Sequence, residues 1–191
     1  DHASCSKVVS SALRVLVNLS NTEEVNELLC DETVVELIIR AMMLNIANLR
    51  NAFDGCKILL VICEKSPKKS VGVGGVQAIL FAMMIHNSSG YVQDVGCRIL
   101  SSDSFISQSP QDLCINCKLG VALLSAMACF PRSFKVQENA ITALRRMSKL
   151  EQNVAILNAE RTRLQLVLHQ AMTRFPVCEQ NCNKILGALA T

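Results

Sequence analysis

The chain has 191 residues, half of them hydrophobic and 18% charged, with a formal net charge of +3. That balance excludes a disordered chain, which needs low hydrophobicity and high charge, and it is too mild to point to nucleic acid or an anionic membrane. With only 8 Gly and 4 Pro the chain is neither a loop-rich disulfide framework nor a turn-rich β fold, so its ten Cys read as small core hydrophobes in a reducing, cytoplasmic setting.

In chain order, the first predicted element is a helix through Ala12 and Leu16. Next come a short helix from Glu23 to Cys30 and longer ones from Thr33 to Leu44 and from Asn51 to Glu64. A weak helix around Lys68 to Val73 follows, then a bend at Gly74 and Gly75, where glycine permits a sharp turn, and a helix from Val76 to Ile85. The next helix is expected to end near Leu100, because Asp103 takes an otherwise apolar position and a buried, unpaired carboxylate is costly. The polar stretch from Ser101 to Gln111 reads as a surface loop.

A repeat runs through these elements. Leu16, Leu59, Leu100, Leu144 and Leu186 are spaced 43, 41, 44 and 42 residues apart. Four residues before each sits Ala12, Gly55, Gly96, Ala140 or Cys182, and directly before each sits Val15, Ile58, Ile99, Ala143 or Ile185. Three after come Leu19, Ile62, Asp103, Met147 and Leu189. Offsets −4, −1, 0 and +3 from the anchor leucine mark one face of a helix. A second ladder, Met42, Met83, Met127 and Met172, follows a similar period, each preceded by Ala. Pro67, Pro110, Pro131 and Pro176 all fall between predicted helices.

Each unit therefore reads as a short helix, a longer one and a third helix. The third-helix pattern of Ala12, Val15, Leu16 and Asn18, the turn at Gly74 and Gly75, and the run from Val136 through Ala140 to Leu144 resemble the armadillo repeat family. The resemblance implies an all-α, right-handed α-solenoid of about four and a half armadillo or HEAT-like repeats. The units fall roughly at 1–20 (partial), 21–65, 66–105, 106–150 and 151–191. Neither end carries the pattern of a polar cap, so a segment of a longer solenoid is expected.

If offsets −4, −1, 0 and +3 are buried, then −6, −2 and +1 face away, with +2 beside them. Offset −2 reads Arg14, Lys57, Arg98, Thr142 and Lys184, and offset +2 includes Asn18 and Arg146, with Arg145 alongside. The family resemblance implies that third helices line a groove for extended peptides. A basic row there is similar to the β-catenin type, which takes acidic partners, whereas the Trp and Asn ladders of the importin-α type are lacking. Helices 8–10 Å apart would meet about every third residue of an extended strand. The competing reading is a merely solvated face, with Lys57 and Arg98 neutralised by Asp54 and Asp94 of their own helices.

The expected function is a non-catalytic scaffold binding a protein or peptide, with neighbouring repeats or another chain at both ends and no nucleic acid or membrane partner. The alternative is a structural or regulatory armadillo domain of a larger multidomain protein, a kinase or a cytoskeletal or ciliary assembly, with no peptide-groove role; on either reading the expected location is cytoplasmic, with nuclear and cytoskeletal or ciliary sites as alternatives. No nucleophile–base pair is apparent, and no cofactor is expected. Cys114 and Cys117 have zinc-ligand spacing without a second pair, Cys178 and Cys182 read as structural thiols, and His2, His86 and His169 are scattered.

Overall fold

The computed structural model describes residues 6–20, 22–65, 72–102 and 113–190, with the side chains of 6, 72, 73, 113–117 and 152 excepted. All regular structure among the described residues is helical. The helices are α1 (Ser6–Leu19), α2 (Glu23–Leu29), α3 (Glu32–Leu44), α4 (Leu49–Lys65), α5 (Gly72–Ile85) and α6 (Gly90–Leu100). They are followed by α7 (Leu113–Cys129), α8 (Phe134–Met147), α9 (Glu151–Ala159), α10 (Arg161–Arg174) and, after a single 3-10 turn at Pro176–Cys178, α11 (Glu179–Ala188). No described helix is long and apolar enough to cross a membrane.

Local chemistry starts these helices. Asp31 accepts hydrogen bonds from the Thr33 and Val34 amides, at 2.9 and 3.4 Å, and so caps α3. Asn48 does the same for α4 through the Arg50 and Asn51 amides, at 3.0 and 3.2 Å. Pro176, whose missing amide hydrogen costs nothing at a helix start, opens the turn before α11.

The chain divides into two compact units, 1–99 and 100–191. In the first, α1 packs along α4 and α3 packs against α5, while α4 also contacts α2, α3 and α5. In the second, α8 packs on α11 and α7 on α10, and α9 contacts α7 and α10. Third-type helices thus lie on third-type helices within each unit, and second-type on second-type.

The two sequence ladders meet inside the first unit. A Cβ on Gly55 would lie 2.8 Å from Met42 Sδ, and one on Gly96 would lie 2.6 Å from Met83 Sδ. The small residue at offset −4 exists because the methionine of the preceding helix lies on it. Offsets −4 and −1 are buried in α4, α6, α8 and α11. A repeated polar device runs parallel to this. Gln93 Nε2 donates to Met83 O at 2.8 Å and His86 O at 3.2 Å, closing the end of α5. Gln137 Nε2 makes the equivalent bonds to Met127 O at 2.8 Å and Phe130 O at 3.0 Å, closing α7. Both glutamines are buried; they supply donors to the helix-end carbonyls of Met83 and Met127 and a second donor to His86 O and Phe130 O, which also accept from the Ser89 and Ser133 amides.

Two expectations are corrected. Gly74 and Gly75 do not form a bend: both lie inside α5, which runs unbroken from Gly72. An apolar run from Val76 to Ile85 on the C-terminal side outweighs the roughly 1 kcal/mol propensity deficit of each glycine. The predicted short helix around Lys68 falls mostly outside the described residues, as do Pro67, Asp103, Pro110 and His2. In α1 the stripe of Ala12, Val15 and Leu19 is exposed, Val15 by 54% and Leu19 by 45%, whereas Val9 and Leu13 are buried. α1 packs on α4 through offsets −7 and −3, and no described second-type helix covers its −4, −1 and +3 face. The end of α6 at Leu100 agrees with the expectation.

Candidate functional site

Three contacts fix the third-type helices of the first unit side by side. Ser10 of α1 donates its hydroxyl to Asn51 Oδ1 of α4. Phe53 near the start of α4 meets Tyr91 near the start of α6, ring centroids 5.9 Å apart and tilted by 59°. Near the other ends of the same helices, Arg98 Nη2 donates to Glu64 Oε1 at 2.6 Å. Start meets start and end meets end, so α4 and α6 run parallel, while the residues that touch stand at unlike offsets, −6 with −9 and +5 with −2.

On this frame Arg14, Lys57 and Arg98 are all exposed at offset −2. Extending the face two turns toward the helix starts reaches offset −9, seven residues from −2 and within about 20° of it around the helix. There lie Lys7, Arg50 and Tyr91, also exposed, Tyr91 by 77%. Offset −6 carries Ser10, Phe53 and the half-buried acidic Asp94 between the two rows. The sequence marks −6 as outward-facing, and the helical period carried on to −9 reaches Phe53 and Tyr91, which the row at −2 does not include.

The electrostatics differ from the simple basic ladder. Lys57 Nζ stands 5.7 Å from the centroid of Phe53, a cation–π placement that leaves its charge on the surface. Asp54, expected to neutralise Lys57 within α4, is instead buried, and its Oδ2 has no hydrogen-bond partner. Arg98 is engaged by Glu64 of the neighbouring helix, with side chains 56% and 46% exposed. Asn18 is exposed on α1.

In the second unit the corresponding positions are weaker. Thr142 is half-buried and returns its hydroxyl to Glu138 O at 2.9 Å, Arg145 and Arg146 are half-buried, and Lys184 is exposed. Arg163 of α10 reaches Ser125 Oγ of α7 at 2.8 Å and ties those second-type helices together. His86 donates from Nε2 to Ile46 O at 2.7 Å, linking the chain after α5 to the chain after α3. His169 is exposed and contacts Gln165 O one turn back.

Burial raises the Cys56 and Cys63 thiols to about 12, Glu64 adding to the effect at Cys63. It raises Cys97 further, and Cys182 to about 12 with a smaller contribution from Cys178. These thiols stay protonated near neutrality, the opposite of what thiolate chemistry or metal ligation needs. Among the described residues no three His, Cys, Asp or Glu side chains are placed to hold a metal ion; the side chains of Cys114 and Cys117 lie outside that set. Comparisons with protein-family models, with curated proteins and with solved structures find no match to this chain.

Proposed function

We propose that this chain is an armadillo-type α-solenoid segment acting as a non-catalytic scaffold, which binds an extended acidic segment of a partner protein across α1, α4 and α6. The observation that carries this reading is the exposure of Arg14, Lys57 and Arg98 at one offset of three adjacent third-type helices. Lys7 and Arg50 add to the positive face two turns away. Exposed pairs contribute up to about 1 kcal/mol each, so affinity comes from several carboxylates engaged together. Arginine at Arg14 offers bidentate pairing, while Lys57 acts as a point charge.

Titration with acidic and neutral extended peptides at low and high salt tests the reading. Acidic peptides bind preferentially and weaken as salt screens the face. Arg14→Glu and Lys57→Glu reduce binding without lowering the melting temperature. Equal binding of neutral peptides, or indifference to both substitutions, refutes it. The Arg98–Glu64 pair favours a second reading, a structural armadillo segment of a larger protein whose surface charges are met internally; that reading expects no peptide binding at either salt.

A further inference from the structure

Helical surfaces present no backbone edge. The amides and carbonyls of α4 and α6 are spent within their own helices, so a strand lying across them gains no ladder and keeps its own main chain hydrated. Polyproline II is the conformer that does this without loss, since it has no internal hydrogen bonds and is already ordered before binding. Onto this face the chain places its only Tyr, exposed by 77%, tilted against half-buried Phe53. Such exposure of an aromatic in a chain that is 4% aromatic leaves most of a ring unused by the core. Lys57 stands over the Phe53 ring, and Arg50 lies one turn from it on α4.

We propose that Tyr91 and Phe53 form a platform that seats a proline of the partner strand, with carboxylates on either side of that proline directed to Lys57 and Arg50. The inference rests on the acidic-segment reading above and adds to it a specific residue type at a specific place. A pyrrolidine ring lies flat on an aromatic face, the mode used by proline-reading grooves generally. Arg50 and Lys57, on either side of Phe53 along α4, give charge complementarity to the acidic neighbours, while Asp94 stands one turn after Tyr91 on α6. A single-stranded nucleic acid is the rival occupant, but successive bases need successive stacking surfaces, and the described residues of this face offer one aromatic pair.

The chain has no Trp, so the emission of Tyr91 reports directly on the platform. Three unlabelled probes are titrated at low and high salt: a peptide of alternating Asp and Glu with a central Pro-Pro pair, its Ala-Ala counterpart, and an oligothymidylate. Tyrosine fluorescence and calorimetry are read together. The Pro-Pro peptide is expected to bind about five- to tenfold more tightly than the Ala-Ala peptide, the span of a single ring-stacking contact, and to change Tyr91 emission. Tyr91→Ser, at an exposed position, removes that preference while leaving salt-sensitive binding of the acidic peptides, and Tyr91→Phe retains it. Equal binding of the two peptides with salt sensitivity intact overturns the platform and leaves the acidic-segment reading standing. Absence of binding by both peptides overturns both. Tighter binding of the oligothymidylate with quenched tyrosine overturns the proline assignment in favour of a nucleic-acid strand.

Discussion

Gly96 of α6 lies so close to Met83 of α5 that a Cβ placed on it would sit 2.6 Å from Sδ and 2.7 Å from Cγ. Alanine normally gains about 1 kcal/mol over glycine in a helix interior, but overpacking a filled core costs about 1–3 kcal/mol. Gly96→Ala is therefore expected to destabilise the protein by about 1 kcal/mol in urea denaturation. Met83→Ala should cost less in the Gly96→Ala background than alone, with a coupling of about 1 kcal/mol, the size expected for residues in contact. Strict additivity would show that the two side chains do not share one space.

The glutamine devices predict a different signature. Gln137→Ala removes the side-chain donor to Met127 O, while Phe130 O keeps the Ser133 amide at 3.1 Å, and should cost about 1–3 kcal/mol, as should Gln93→Ala at α5. Gln137→Glu replaces the donor with an ionised acceptor facing two carbonyls. It should be worse than alanine at neutral pH and recover in part on acidification, as the carboxyl gains a hydrogen to donate. Thermal melts at two pH values, referenced to the parent protein, check this.

At the candidate groove, Glu64 competes for the Arg98 guanidinium that an acidic partner would use. Glu64→Gln should raise affinity for acidic peptides about two- to fivefold, the value of a partly screened surface pair, while changing stability by less than about 1 kcal/mol. An unchanged affinity would remove Arg98 from the binding face.

The buried thiols make stability fall in alkali. Cys56, Cys63 and Cys182 hold their protons to about pH 12 in the folded chain, against a value of 9.0 for an ordinary thiol. Folded pKa values above unfolded ones mean that this contribution is complete below about pH 9 and is lost as pH rises from there toward 12. Each thiol can add a slope of up to about 1.4 kcal/mol per pH unit in that window. Urea midpoints from pH 8 upward should fall accordingly, and Cys56→Ala should flatten the fall. In the native state, alkylation should mark exposed Cys129 while sparing Cys56, Cys97 and Cys182.

Much of the architecture was legible because its signals are periodic. Offsets −4, −1, 0 and +3 are a property of the helix itself, so they could be read at Leu59, Leu100, Leu144 and Leu186 without coordinates. α1 was misread because periodicity says which residues share a face and not which face meets a neighbour: Leu13, outside the marked offsets, is buried and Val15 is not. Gly74 and Gly75 misled for a related reason, since glycine permits a bend without requiring one. At the site, the row of Arg14, Lys57 and Arg98 follows from the repeat, whereas Glu64, 34 residues from Arg98, carries no local mark of its role.

What the order of residues determined by itself is a helical chain with recurring small and methionine positions and a basic offset, since these depend on a period of 3.6 residues and on residue volume. Only tertiary packing decided that Met42 and Met83 fill the space left by Gly55 and Gly96, that Tyr91 rests on Phe53, and that Glu64 reaches Arg98. Those pairings join residues whose separation along the chain ranges from 13 to 38 positions. They come together because neighbouring helices must bury their apolar stripes on one another, and the register of that burial sets which exposed side chains become neighbours.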